Sequence, residues 1–361
     1  MTTTAEHPEV DHVLVETFLR ICADDTARAG LDAAETTAWS ETLWHALAES
    51  GLTRVGIAEA AGGSGGTADQ ATELIRLSGY AGAPVPLAES LLLGGPALAA
   101  ARLPLPDGPL AVAPVPGELI AVRAADGWTV SGRMTDVAWA QVAEQVVALA
   151  DSAQGPVVVT IPLSAGQVVA GVNLAGEPRD TVSVSGATVA GAHGVLTAEN
   201  WRERGALARS LQIAGALERV LEMTVAYSKQ REQFGRPIVR FQAVGQLIAL
   251  LGEAVAQARM AAETAAGTAS STDIAIAKVI AGEAATAGTA NAHQVFGAIG
   301  MTLECDLQRF TRRLWSWRDE YGAERFWAER VGRQIQHDGV PGLWGVITEN
   351  SRTRNDSKEQ A

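Results

Sequence analysis

A chain of 361 residues with 47% hydrophobic and 19% charged side chains has the composition of a folded globular protein with more than one packed layer. Its formal net charge of -13 excludes a duplex-binding surface, because phosphate recognition needs clustered Lys and Arg, so no nucleic-acid partner is expected. Two cysteines, Cys22 and Cys305, without paired spacing exclude a disulfide framework and a thiolate metal site, while the polar, acidic start and the lack of an eighteen-residue apolar run predict a cytoplasmic chain with no membrane span.

Residues 1–107 read as an α-helical domain. Val13, Phe18, Leu19 and Cys22 recur at three- and four-residue spacing, Leu43, Trp44, Leu47 and Leu52 continue the pattern, and Leu74, Leu77 and Leu91 to Leu93 resume it. Between them Gly62 to Gly66 interrupts the helical texture. The run lacks the preceding strand and following helix start of a nucleotide loop, and is expected to be a flexible turn.

Over 108–198 the texture becomes short Val-rich runs between Gly, Pro, Asp and Asn: Leu110 to Val115, Trp128 to Gly132, Val146 to Ala150, Val157 to Ile161 and Val182 to Val184. This spacing predicts a small antiparallel barrel or sandwich. Trp139 in this segment reads as a core side chain of a half-buried strand.

Long helical periodicity returns over 199–345. Leu207, Leu211, Ala214, Leu217, Leu221 and Val225 share one face, then Phe241, Val244, Leu247, Leu251 and Val255, then Ile274, Ala277, Val279 and Ala284, and last Leu307, Phe310, Leu314 and Trp317. Ser271, Thr272 and Asp273 offer an N-cap for the third helix. Four helices with Ala-rich faces predict a bundle, since small residues let helix axes approach. Trp315, Trp317 and Trp327 read as a packing stripe, and 346–361 as a polar tail. The fold class is therefore α+β, mainly α.

Two stretches of the last segment carry a motif. From Tyr227 the chain runs through Arg231, Glu232, Gln233, Phe234, Gly235, Arg236, Pro237 and Ile238 to Phe241 and Gln242; later, Gln294, Phe296, Gly297, Ala298 and Gly300 form a second run. Together they resemble the signature of the acyl-CoA dehydrogenases: an Arg-x-x-Phe-Gly turn, Pro-Ile, a Phe-Gln helix start, and Gln-x-x-Gly-Gly-x-Gly with Ala298 in place of the second Gly. The three-part layout is similar to that family's fold.

The resemblance implies FAD as cofactor, an acyl-CoA or other acyl thioester as substrate, and a homo- or hetero-oligomer, dimer or tetramer, with a related subunit. It implies that Arg231, Gln233, Phe234, Gln242, Gln294, Gly297 and Ala298 are cofactor-binding, reaching the flavin of a neighbouring subunit. The residue types suit this: a guanidinium bridges pyrophosphate oxygens with charge-assisted bonds, and a bare Gly backbone lets phosphate approach.

The family's reaction takes an α-proton with a carboxylate, and a weakly acidic thioester needs a desolvated carboxylate of raised basicity. Where members carry Tyr-Glu-Gly-Thr this chain reads Trp317, Arg318, Asp319, Glu320, Tyr321, Gly322 and Ala323, with Tyr and Glu exchanged, which leaves Glu320 as the catalytic candidate. A minority of members place the base near Gly205, where Glu203 and Arg209 do not substitute, and Asp319 is a third option. The β-segment departs further, with Pro114 to Glu118 and Thr135 to Trp139 where the family's flavin-facing patterns stand. Three readings stay open: a working subunit of the short type found in steroid side-chain degradation, a catalytically degenerate partner in a heteromer, or a flavin-dependent biosynthetic tailoring enzyme.

Overall fold

The structure, a computed structural model, describes residues 12–25, 39–114 and 118–348. The chain divides into two compact units between Ala208 and Arg209. The tail from Ser351 to Ala361, and Val115, Pro116 and Gly117, lie outside the described residues.

In the first unit, helices α1 (His12–Asp25), α2 (Glu41–Glu49), α3 (Ala68–Ala81) and α4 (Gly94–Ala101) bury Phe18, Leu43, Leu47, Leu74 and Leu98. Ser40 caps α2 by accepting from the Leu43 N–H at 3.2 Å, and Thr67 with Gln70 forms a capping box on α3. The Gly62 to Gly66 run is a turn, as expected, but a fixed one. Gly65 donates to Ile57 O at 2.9 Å, Gly56 donates to Gly65 O at 2.8 Å, and a Cβ on Gly63 would stand 2.0 Å from Ile57 O.

Strands β1 (Ala111–Val112), β2 (Glu118–Ala124), β3 (Gly127–Ala138), β4 (Gln145–Ser152), β5 (Gly155–Pro162), β6 (Gly166–Val169) and β7 (Arg179–His193) form one sheet. Its order β1-β3-β2-β4-β5-β7-β6, with the added β3–β7 pairing, closes β2, β3, β7, β5 and β4 into a ring, so the barrel is realised rather than the sandwich. Most pairings are antiparallel; β4 pairs parallel with β1 and, at Ile120 and Asp151, with β2. Inward side chains such as Val130, Val137, Val146, Val157, Val159 and Val182 fill the interior. Trp139 is 3% exposed and lies 6.2 Å from Trp39, a core side chain as read from the sequence.

Trp201 is fully buried, and its indole N–H donates to Ala113 O at 2.8 Å. Trp201→Phe leaves that buried carbonyl unpaired and is expected to cost about 1–3 kcal/mol, read as a lowered urea midpoint at unchanged slope.

Helix α5 (Ala198–Gln230) runs on into the second unit, where α6 (Gln242–Thr268), α7 (Ser271–Phe296), α8 (Leu307–Asp319) and α9 (Glu324–Thr348) complete the bundle. The N-cap of α7 is Ser270, one residue before the expected group: its hydroxyl accepts from the Asp273 N–H, and Thr268 Oγ1 bonds the Asp273 carboxylate. Small residues let three helices meet, since a Cβ on Gly288 of α7 would stand 2.6 Å from Leu217 of α5 and 3.2 Å from Leu251 of α6. Leu307, Phe310, Leu314 and Trp317 are buried on α8, as their spacing predicts. Among the described residues no helix is long and apolar enough to cross a membrane.

Candidate functional site

Helix α5 ends where the Arg231 N–H donates to Tyr227 O at 2.8 Å. Two short strands follow, β8 (Glu232–Gln233) and β9 (Arg236–Pro237), with Gln233 opposite Arg236, so Phe234 and Gly235 alone make the turn. Both have positive φ, 52° and 79°, as a type I′ hairpin demands. Gly accepts that backbone freely; a bulky aromatic residue does so at a cost of order 1 kcal/mol, which marks the position as held for another reason. Phe234 stands 90% exposed, edge-on to Phe241 at 6.0 Å, and the Arg236 guanidinium lies 4.3 Å over the Phe241 ring.

The second motif lies at the same end of the bundle. Tyr227 stacks on Phe296 with ring centroids 4.3 Å apart and donates from its hydroxyl to Phe296 O at 3.3 Å, tying the end of α5 to the end of α7. There Gln294, Gly297 and Ala298 are exposed, and Gly297, at φ 66°, has open space where a Cβ would stand. His293 turns inward beside Gln294, with Nε2 3.0 Å from the Thr311 hydroxyl and burial lowering its pKa.

This end therefore gathers Arg231, Gln233, Phe234, Gln242, Gln294, Gly297 and Ala298, all on the surface. A guanidinium, amide donors, an aromatic face and an uncovered glycine backbone fit the pyrophosphate and ring faces of a dinucleotide.

Glu320 stands elsewhere. It caps the C-terminus of α8, followed by Tyr321 at φ 58°, and its Oε2 accepts from Arg209 Nε at 2.6 Å. Arg209 is 2% exposed, donates also to Gln212 Oε1 at 2.5 Å, and lies 5.7 Å from the Tyr321 ring centre. Thus the Glu320 carboxylate is ion-paired, not the isolated desolvated group that the thioester chemistry led one to expect.

Lys278 of α7 closes the corner from below. Fully buried, its ammonium donates to Arg318 O at 2.5 Å and Trp317 O at 3.3 Å. Burial pushes its pKa down from 10.5 to about 8, opposed by Glu324, Glu320 and Asp319 and assisted by Arg209. Arg318 in turn pairs with Glu324. Sequence reasoning missed Lys278, although a single cation between Ala277 and Ala281 on the buried face of an Ala-rich helix was a readable sign.

The two places are far apart. Lys278 and Gln294 are 16 residues apart on one helix, roughly 24 Å at the α-helical rise.

Comparison with known proteins agrees with this architecture. The family model "Acyl-CoA dehydrogenase, C-terminal domain" matches residues 193–335. The acyl-CoA dehydrogenase IpdE2 of Mycobacterium tuberculosis is 30% identical over 315 residues, 85% of this chain and 91% of that protein. In the ChsE4-ChsE5 complex from Mycobacterium tuberculosis a chain matches with a TM-score of 0.82 at 24% identity, covering 93% of this chain and 98% of that one. The Tcur3481-Tcur3483 steroid ACAD matches with a TM-score of 0.82 at 24% identity, over 90% and 97% of the two chains. Family relatives and fold define a flavin oxidoreductase of the acyl-CoA dehydrogenase class. The chain belongs to the acyl-CoA dehydrogenase family.

Proposed function

We propose that this chain is a subunit of an FAD-dependent acyl-CoA dehydrogenase that desaturates bulky, steroid-like acyl-CoA esters in the cytoplasm, as an oligomer with a related subunit. The observation that carries the reading is the separation along α7: Gln294, at the Arg231 end, and Lys278, which donates to the turn before Glu320, lie roughly 24 Å apart by helix rise, and we read the two ends as serving two different cofactors. Each end then contributes half of a site, and two half-sites need a second subunit. The names of the Tcur3481-Tcur3483 enzyme and of the ChsE4-ChsE5 complex support the acyl class and the two-chain assembly.

In this reading FAD, when bound, supplies the acceptor for the β-hydride. Arg231 would hold its pyrophosphate through charge-assisted hydrogen bonds, Gln233, Gln242 and Gln294 would offer amide donors, Phe234 would offer an aromatic face, and Gly297 and Ala298 would leave the backbone accessible to it. Glu320 takes the α-proton, with Arg209 fixing its direction and releasing or sharing it as substrate arrives.

The Arg209–Glu320 pair also favours a second reading, in which Glu320 is structural and the chain only completes its partner's site. Glu320→Gln separates the two: flavin kept but no longer bleached by acyl-CoA supports the base, and undiminished bleaching leaves the chain as the completing partner.

Arg231→Ala is expected to lose most of the flavin while its far-ultraviolet circular dichroism stays unchanged, because exposed Arg231 makes no side-chain contact that the bundle needs. Unchanged flavin content would remove Arg231 from the site. The assembly itself is read from the visible spectrum and native mass of the chain purified alone and after co-expression with a related subunit. Yellow colour only in the co-expressed sample supports the shared site, and about one FAD per chain in the isolated protein argues for a homo-oligomer.

A further inference from the structure

We propose that Lys278 is a positioning residue for Glu320: its buried ammonium grips the last-turn carbonyls of α8 and so sets where the Glu320 carboxylate stands. The inference rests on the reading of Glu320 as the base.

The geometry has three parts. First, Trp317 O and Arg318 O lie in the last turn of α8, where carbonyls run short of intrahelical donors, and Lys278 donates to both from α7. Second, the chain leaves the helix immediately afterwards, through Glu320 in an extended conformation and Tyr321 and Gly322 at positive φ, so the last turn decides the direction of Glu320. Third, the far side of the corner is fixed to the same helix. Glu324 packs where a Cβ on Gly282, one turn beyond Lys278, would stand 2.5 Å from its Oε1, and Trp327 Nε1 donates to Tyr321 O at 3.1 Å.

A fully buried ammonium is an expensive way to join two helices, because an apolar side chain of the same volume packs there without desolvation. What the ammonium adds is direction, since it donates to two specified carbonyls. The charged groups facing it are Glu320, Glu324 and Asp319, which favour its protonation, and Arg209, which opposes it. Three of these four, Glu320, Asp319 and Arg209, belong to the Glu320 corner itself.

The test uses the full chain in its flavin-loaded assembly. Lys278→Met is expected to keep flavin content and acyl-CoA dissociation constant within about threefold, to slow flavin bleaching at least tenfold, and to speed hydrogen exchange of amides 319–322 at least tenfold while the α6 and α7 amides hold. That pattern separates positioning from general stability, which would loosen the whole bundle. Wild-type bleaching and wild-type exchange at 319–322 in Lys278→Met would overturn the proposal. Should Glu320→Gln bleach normally, the base reading fails instead, and the exchange measurement still decides whether Lys278 holds the corner.

If Lys278→Met does not fold, the wild-type protein decides. Opening of the corner returns Lys278 to water and to a pKa of 10.5 from about 8, so the opening constant is expected to fall about tenfold between pH 7 and pH 9 after correction for intrinsic exchange. A pH-independent opening constant would overturn the proposal.

Discussion

Arg209→Met is expected to lower the unfolding free energy by about 3 kcal/mol. Arg209 is almost completely enclosed, and its guanidinium serves the Glu320 carboxylate at 2.6 Å and the Gln212 amide oxygen at 2.5 Å. Methionine fills most of the volume but leaves both acceptors without that donor. Breaking one partner out of a buried pair costs about 3–5 kcal/mol, and the lower figure applies because Glu320 keeps 18% of its side-chain exposure and so retains some water.

The double variant Arg209→Met with Glu320→Gln removes the charge that has lost its guanidinium and is expected to recover about half the loss. Urea unfolding of the four proteins of this cycle gives the coupling. A coupling below about 0.5 kcal/mol would place the pair among solvent-screened surface pairs.

The second large effect is a pH dependence. Lys278 has a folded pKa of about 8 against an ordinary 10.5, so between these values the unfolded chain holds a proton that the folded chain lacks. Stability linked to this group therefore rises with pH across that window. The penalty for burying the charge is fully present below about pH 8 and is relieved as pH approaches 10.5. The relief is of order 3 kcal/mol, since each unit of difference is worth about 1.4 kcal/mol. Wild type minus Lys278→Met, measured by denaturant at pH 7, 9 and 10, is expected to climb in favour of wild type. A flat difference would mean that Lys278 titrates as it does in water.

Much of this molecule is legible in its sequence. The bundle helices are written as apolar faces whose buried members, Leu211, Leu217, Leu251, Ile274, Ala277, Leu307 and Leu314, recur at helical spacing. The turn between α5 and α6 is legible for a different reason: the order Arg231, Phe234, Gly235, Pro237 and Gln242 breaks the helical periodicity, and the chain makes a tight exposed hairpin there.

Non-local choices were not legible. The strand runs allowed a sandwich or a barrel, and the choice rests on β3 pairing β7 and on β2 meeting β4 at Ile120 and Asp151, both far apart along the chain. The cap of α7 slipped by one residue because Ser270 and Ser271 offer the same hydroxyl, and only the backbone distinguishes them. At Glu320 the sequence supplied a carboxylate without its surroundings, since Arg209 lies 111 positions away and Lys278 comes from a third helix.

Phe234 has a practical meaning for anyone who sets out to make the isolated chain more robust. At φ 52°, with its ring 90% exposed, it is a position where Asn or Gly relaxes the backbone at the loss of only the edge contact to Phe241. A screen for thermal tolerance of the lone subunit would select those replacements first, and would thereby discard the aromatic surface that the proposed shared site uses. Selection for assembly and selection for solitary durability pull in opposite directions at this one residue.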